Sequence, residues 1–202
     1  IIISDIYNEM GLSDKSKNTL IKLEKLVNSL KSEHLYGRYK ASMALMYSNL
    51  DNLDNAVKYF EESIVHCQNS NNNNLVVRYL LDLSMTLIEN NNLDEAQVKI
   101  DQAMTLLENK YKSPRHELIA QCHSLLIKLK DSLDPNTIEP ILEKIDDDVD
   151  LFYLISLCYK ECGDLNNFKK YSEKWNQYIL SSSKNISDEK QKNSYLNLHL
   201  LN

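Results

Sequence analysis

The residues that could carry chemistry in this chain are its cysteines and histidines, and their spacing does not assemble a reactive site. Cys158 and Cys162 lie four residues apart, which would place both thiols on one helix face, but a structural zinc site needs four ligands and the sequence offers no closing pair. Cys122 and His123 are adjacent, and neighbours along a helix point in different directions. Paired carboxylates, a serine–histidine–aspartate set and a glycine-rich phosphate loop are missing from the sequence. We therefore predict a non-enzymatic protein without metal or cofactor.

The composition excludes several further classes of protein. Gly and Pro occur three times each among 202 residues, and 29 acidic residues outnumber 23 basic ones. Sandwiches and barrels use Gly and Pro at their corners, and a surface for nucleic acid or an anionic membrane usually needs a basic excess. The longest apolar block, 151–159, is far shorter than the ~20 residues of a membrane helix. With four cysteines in apolar settings and no signal peptide, we predict an intracellular protein, cytoplasmic or nuclear, that binds neither nucleic acid nor membrane.

The elements that position the side chains follow a forty-residue repeat. Segment 50–60 has a counterpart at 90–100, and steps of forty, with one step of 32 before the last unit, align several columns. One column holds small residues, which let two helices approach closely: Ser4, Ala44, Ser84, Ser124 and Ser156. A second holds large residues that fill the adjacent volume: Tyr7, Tyr47, Leu87, Ile127 and Tyr159. A third is expected to end a helix with positive φ: Gly11, Asp51, Asn91, Asp131 and Gly163. Two positions later, a residue is expected to anchor the next helix: Ser13, Leu53, Leu93, Leu133 and Leu165.

Each unit is therefore predicted to contain a first helix, a turn and a second helix. The first helices are expected at 1–10, 37–50, 75–90, 114–131 and 149–162. The second helices are expected at 14–31, 53–69, 93–110, 135–145 and 165–182. Residues 71–74 should form a polar loop between units. A closing helix is expected at about 187–200, with Ser187 as its N-cap.

The order of these columns, continued by Ala56 or Ala96 and then by Phe60 or Ile100, resembles the tetratricopeptide repeat in its long-helix form of about forty residues. The resemblance covers residues 1–183 and implies an all-α, right-handed α-solenoid of about five helix-turn-helix units. The first unit would be truncated, and the fourth degenerate because Asn136 and Pro140 replace the Ala and Phe. Residues 184–202 would form a C-terminal closing helix and tail.

In this family the first helices of successive units line a concave groove, so the resemblance implies a scaffold that holds a peptide or helical segment of a partner within a larger assembly. Arg38 and Arg78 are forty residues apart and would stack as a clamp for a carboxylate or a row of peptide carbonyls, unless both are solvated or paired with neighbouring acids. The same offsets add further groove-side candidates: Asn49, Glu89, Gln121, Lys128, Tyr153 and Lys160. Apolar stretches of the groove are expected from Leu45, Leu81, Met85 and Ile88.

Two other functions stay open from the sequence. The chain could be the peptide-sensing half of a bacterial, quorum-sensing type transcriptional regulator, with a DNA-binding or effector domain upstream of Ile1. It could also be a self-assembly module, including a homodimer, although a closing helix at 187–200 argues against stacking at the C-terminal end. Because the chain opens on Ile1 rather than Met, we expect it to be a fragment.

Overall fold

The computed structural model describes residues 1–131 and 148–201, and these ranges are helical with short turns. They contain ten helices: α1 (Ile2–Glu9), α2 (Ser13–Leu30), α3 (Glu33–Ser48), α4 (Leu53–Asn69), α5 (Asn73–Glu89), α6 (Leu93–Asn109), α7 (Pro114–Asp131), α8 (Val149–Glu161), α9 (Leu165–Ser183) and α10 (Glu189–His199). The predicted all-α repeat architecture is confirmed. The predicted helix at 135–145, together with Leu133, Asn136 and Pro140, lies outside the described residues.

The helices form two compact units, Ile1–Lys112 and Ser113–Asn202, which we call unit 1 and unit 2. In unit 1 consecutive helices pack on one another from α1 to α6, and the first helices α1 and α3 also touch. In unit 2, α8 packs on both α7 and α9, and α10 packs on α9. This sequential packing is the pattern expected of stacked helix pairs.

The turns after α1, α3, α5 and α8 use the predicted positive φ, whereas the remaining predicted position, Asp131, still belongs to helix α7. At the end of α3, the Asp51 N–H donates to the Ser48 carbonyl (3.0 Å) and the Asn52 N–H donates to the Tyr47 carbonyl (2.9 Å), while Asp51 has φ of 53°. This pair of bonds is the Schellman closure, which satisfies carbonyls at a helix end. The same closure ends α1, α5 and α8, with φ between 59° and 76° at the equivalent residues. The large-residue column therefore also supplies the carbonyl that closes each turn.

Two first helices begin earlier than predicted, because a polar residue caps each of them. Ser32 Oγ accepts from the Leu35 N–H (3.4 Å), and Asn72 Oδ1 accepts from the Leu75 N–H (3.2 Å). An N-cap acceptor offsets the low helix propensity of the residues that follow it. The predicted polar loop 71–74 is therefore wrong in extent, since the last two of its asparagines belong to α5. The closing helix is also capped one residue later than predicted, by Asp188 rather than Ser187.

The small-residue column lies where the helices meet. Ser4, Ala44, Ser84 and Ser156 are fully buried, and Ser124 is partly buried. The buried hydroxyls do not lack partners: Ser84, for example, donates to the Leu81 carbonyl three residues earlier (2.8 Å). A buried hydroxyl satisfied within its own helix allows close packing without a desolvation penalty. The column of small residues is confirmed at these positions.

The anchor column is confirmed only in part. Leu53 and Leu93 are half-buried at the starts of α4 and α6, whereas Leu165 at the start of α9 is 71% exposed. The prediction for Leu165 is therefore wrong. The start of α9 is capped by Asp164 instead, because the Asp164 carboxylate accepts a hydrogen bond from the Asn167 backbone N–H (3.0 Å).

Candidate functional site

The first helices of unit 1 are joined side by side through polar side chains of α1 and α3. Asn8 Nδ2 donates to the Ser42 carbonyl (3.0 Å), and Asn49 Nδ2 donates to the Asn8 carbonyl (2.8 Å). The Ser42 hydroxyl donates to the Asp5 carboxylate. These bonds join residues more than thirty positions apart, so they fix α1 against α3.

A second set of contacts continues this surface from α3 to α5. The hydroxyls of Ser48 and Thr86 lie 3.4 Å apart across the two helices. We call the surface formed by α1, α3 and α5 the first-helix face. Its polar side chains on α3 and α5 are Arg38, Asn49, Arg78, Asp82 and Glu89.

Arg38 and Arg78 occupy equivalent positions on α3 and α5. Arg78 Nε is 3.7 Å from a carboxylate oxygen of Asp82, one turn further along α5. No carboxylate of the described residues lies within 4 Å of the Arg38 guanidinium. Burial raises the pKa of Tyr79, and the charges of both arginines oppose that rise. Both arginine charges therefore act on the same buried tyrosine, in line with the forty-residue offset.

Two carboxylates of the first-helix face are accessible to solvent and yet desolvated. The Asp82 side chain is 32% exposed, and desolvation raises its pKa to about 6 against the opposing charge of Arg78. Glu89 is exposed at the end of α5, and desolvation raises its pKa too, with a smaller contribution from Asp51. Desolvation disfavours the charged form of a carboxylate, so Asp82 and Glu89 bind a proton more readily than ordinary surface carboxylates do.

The remaining candidates of unit 1 have mixed roles. Asn49 is exposed, and its amide nitrogen is already used to join α3 to α1. Leu81 and Ile88 are buried in the core, so their predicted place along the groove is wrong. Leu45 and Met85 are partly exposed, as a groove lining requires.

The candidates of unit 2 are distributed over α7 and α8. Gln121 is partly buried and Lys128 is exposed on α7. On α8, the ring of Tyr153 lies 5.3 Å from the ring of Trp175, and Lys160 Nζ lies 5.7 Å from the ring centroid of Phe168. Both partner rings belong to the second helix α9. Tyr153 and Lys160 therefore contact the second helix of their own pair.

The cysteines and His123 have the environment of core residues. Cys67, Cys122 and Cys158 are buried free thiols, and desolvation raises the pKa of each of them. His123 is buried, and desolvation lowers its pKa to about 4. A thiol with a raised pKa is a poor nucleophile at neutral pH. Within residues 1–131 and 148–201, no three His, Cys, Asp or Glu side chains gather as a metal site would require.

A concave surface lies between α3 and α4. It has a volume of about 560 Å³ and is lined by Tyr36, Lys40, Lys58, Glu61, Glu62, Val65 and His66. Its charges are largely paired within the protein, since Lys40 contacts Glu62 (2.6 Å) and His66 Nδ1 contacts Glu33 (2.7 Å). Paired surface charges of this kind contribute little and offer few open contacts to a ligand.

Helix pairs with equivalent columns, closed by equivalent turns, define a helical repeat protein. A family model, the tetratricopeptide repeat, matches residues 37–64 in unit 1 and residues 149–174 in unit 2. Two segments of the chain thus match the tetratricopeptide repeat, within an all-helical architecture consistent with such repeats. Comparisons with curated proteins and with solved structures give no significant match. Among the described helices, none combines the length and the hydropathy that crossing a bilayer requires.

Proposed function

We propose that the first-helix face of unit 1 binds a peptide or helical segment of a partner protein. Tetratricopeptide repeats are in general protein–protein interaction modules, so an interaction scaffold is the kind of function that the family match supports. Recognition is then a property of the side chains on the exposed surface of the helices, since the repeat columns themselves only stack the helices.

The observation that carries the proposal is the placement of Arg38 and Arg78 at equivalent positions of the first helices α3 and α5, where both charges act on Tyr79. Arg38 has no carboxylate within 4 Å in the described ranges, and Arg78 holds Asp82 only loosely, at 3.7 Å. Both guanidinium groups are therefore available to carboxylates or backbone carbonyls of a ligand, which a planar fork of donors binds in bidentate geometry. Glu89 and Asp82 would face basic or amide groups of the same ligand.

The test compares binding by three forms of the full chain. A partner captured from the native host is identified, its contacting segment is synthesised, and the affinity is measured by calorimetry. The double variant Arg38→Ala, Arg78→Ala should lose ~2–4 kcal/mol of binding, or ~30- to ~1,000-fold in Kd, with an unchanged melting curve. Unchanged affinity of the double variant would refute the clamp.

A charge-matched control separates specific contacts from general electrostatics. Lys22 and Lys25 are exposed on α2, a second helix, so Lys22→Ala with Lys25→Ala removes the same net charge away from the first-helix face. This control should bind within about two-fold of the parent chain, because exposed charges at a distance are screened. An equal loss in both double variants would show that net charge alone attracts the partner.

A further inference from the structure

Helix α9 of unit 2 holds residues 199–201 of the same chain through hydrogen bonds to their backbone. Trp175 Nε1 donates to the His199 carbonyl (2.7 Å), and Asn176 Nδ2 donates to the Leu201 carbonyl (2.8 Å). The Leu201 N–H donates back to Asn176 Oδ1 (3.0 Å). Between these residues Leu200 has φ of −70° and ψ of 130°, an extended conformation. Three hydrogen bonds thus connect two adjacent side chains of α9 to the backbone of residues 199–201.

The pairing by Asn176 depends on backbone geometry and not on the side chain of the bound residue. Its amide donates to the carbonyl and accepts from the N–H of one and the same residue, Leu201, as one strand of a sheet does with another. Any residue other than Pro presents these two groups when its backbone is extended. Asn176 therefore recognises the backbone of a bound segment, and any preference for particular side chains in that segment comes from the surrounding surface.

The surrounding surface is aromatic. The ring of Trp175 lies 5.3 Å from that of Tyr153 and 5.9 Å from that of Tyr178, and the ring of His199, a residue of the bound segment, lies 6.5 Å from it. Aromatic side chains supply apolar contact area with few rotatable bonds, which favours apolar side chains in a bound segment.

Helix α10 packs on α9, and its side chains, among them Tyr195 and Leu196, are at most partly buried. No residue of α10 is buried, and Leu198 is 43% exposed. A helix with little buried apolar surface is held weakly, and such segments open at low cost in free energy. The backbone contacts of residues 199–201 therefore add to the contacts that hold α10 on α9.

We propose that Trp175 and Asn176 form a second peptide-binding site, distinct from the first-helix face, which takes an extended segment with apolar side chains from another protein. In the structure residues 199–201 occupy this site. A partner segment must displace them, so the C-terminal tail competes with the ligand and α10 opens when the ligand binds.

A synthetic peptide with the sequence of residues 195–201 tests the site in trans. Trp175 is the sole tryptophan of the chain, so its fluorescence reports occupancy directly. Leu201→Pro removes the N–H that Asn176 accepts and loosens the tail while leaving the site intact. The peptide should bind the Leu201→Pro chain at least ten-fold more tightly than the parent chain, with a saturable change in emission.

The matched variant combines Leu201→Pro with Asn176→Ala. Because Asn176 is only partly buried, this change removes the two backbone contacts with little effect on the core. It should weaken peptide binding at least ten-fold relative to Leu201→Pro alone. The proposal is overturned if the peptide does not bind the Leu201→Pro chain at millimolar concentration, or if Asn176→Ala leaves its affinity unchanged. If Leu201→Pro loses helical circular dichroism, Leu201→Gly loosens the tail instead, and the same comparison decides.

Discussion

Replacing His123 by Met is expected to make unit 2 less sensitive to acid. His123 is buried in α7, in the repeat column that Met43 and Leu83 occupy in unit 1, so a Met of similar volume suits the site. The charged imidazolium is disfavoured in this environment, and the side chain stays neutral in the folded protein until the pH is low. The unfolded chain has no such restriction.

The size of the effect follows from the two pKa values. Desolvation lowers the pKa of His123 from its usual 6.5 to about 4 in the folded protein. Between these values the unfolded state binds more protons than the native state, so stability falls as the pH falls from 6.5 towards 4, and is fully present above 6.5. From pH 7 to pH 5 the loss from this one residue is about 2 kcal/mol. Met removes it.

The assay is urea unfolding at pH 7 and pH 5, followed by Trp175 fluorescence, which reports on unit 2. The drop in unfolding free energy between the two pH values should be about 2 kcal/mol smaller for His123→Met than for the parent chain. His34→Met, an exposed change in unit 1, serves as the control and should match the parent. If His123→Met and the parent lose the same free energy, the histidine is not buried in its neutral form.

Three further changes test the packing and the turns by thermal and urea unfolding. Ser84→Leu should cost ~1–3 kcal/mol, because Ser84 is fully buried where helices meet; a variant as stable as the parent would contradict that helix contact, whereas Ser84→Ala should be tolerated. Lys31→Gly should stabilise by ~0.5–1 kcal/mol, since Lys31 has φ of 48°, and Lys31→Ala should give no such gain. Gly37→Ala places a Cβ 2.5 Å from Cys67 Sγ and should cost ~1–3 kcal/mol; Cys67→Ala should rescue much of this loss, and an equal loss in both backgrounds would place the clash elsewhere.

Much of the fold could be predicted because the repeat contains two kinds of signal, one for the turns and one for the packing of the helices. The positive φ at Gly11, Asp51, Asn91 and Gly163 follows from residue types that tolerate this conformation, and each recurs at a fixed offset from a buried small residue. A pattern that combines a turn signal with a packing signal leaves little freedom for the helices between them. The sequence therefore sufficed to predict that each repeat forms a pair of helices.

The helix starts could not be read from these columns. The first turns of α3 and α5 are polar and precede the apolar part of each helix, so periodicity does not mark them. The side chains of Ser32 and Asn72 decide where these helices begin. The exposure of Leu165 also depends on a local cap, by Asp164, rather than on the repeat.

The sequence predicted which residues occupy equivalent positions in successive repeats, but it did not predict whether their side chains face the surface or the core. The offset of forty places Arg38 and Arg78 at equivalent points, but whether a neighbouring residue lines a groove or enters the core depends on how closely adjacent helices approach. Leu81 and Ile88 are buried for this reason. Asn176 and Leu201 are 25 residues apart, a separation that does not match the repeat, so the sequence pattern does not predict their contact.

The most direct test of the central claim maps where a partner lies on unit 1. A photoreactive amino acid is placed in the full chain at Leu45, partly exposed on the first-helix face, or at Val65, exposed on the second helix α4. With the identified partner bound, crosslinks should form from position 45 and disappear in the Arg38→Ala, Arg78→Ala background, while position 65 stays unreactive. Crosslinks from position 65 without any from position 45 would contradict binding at the first-helix face.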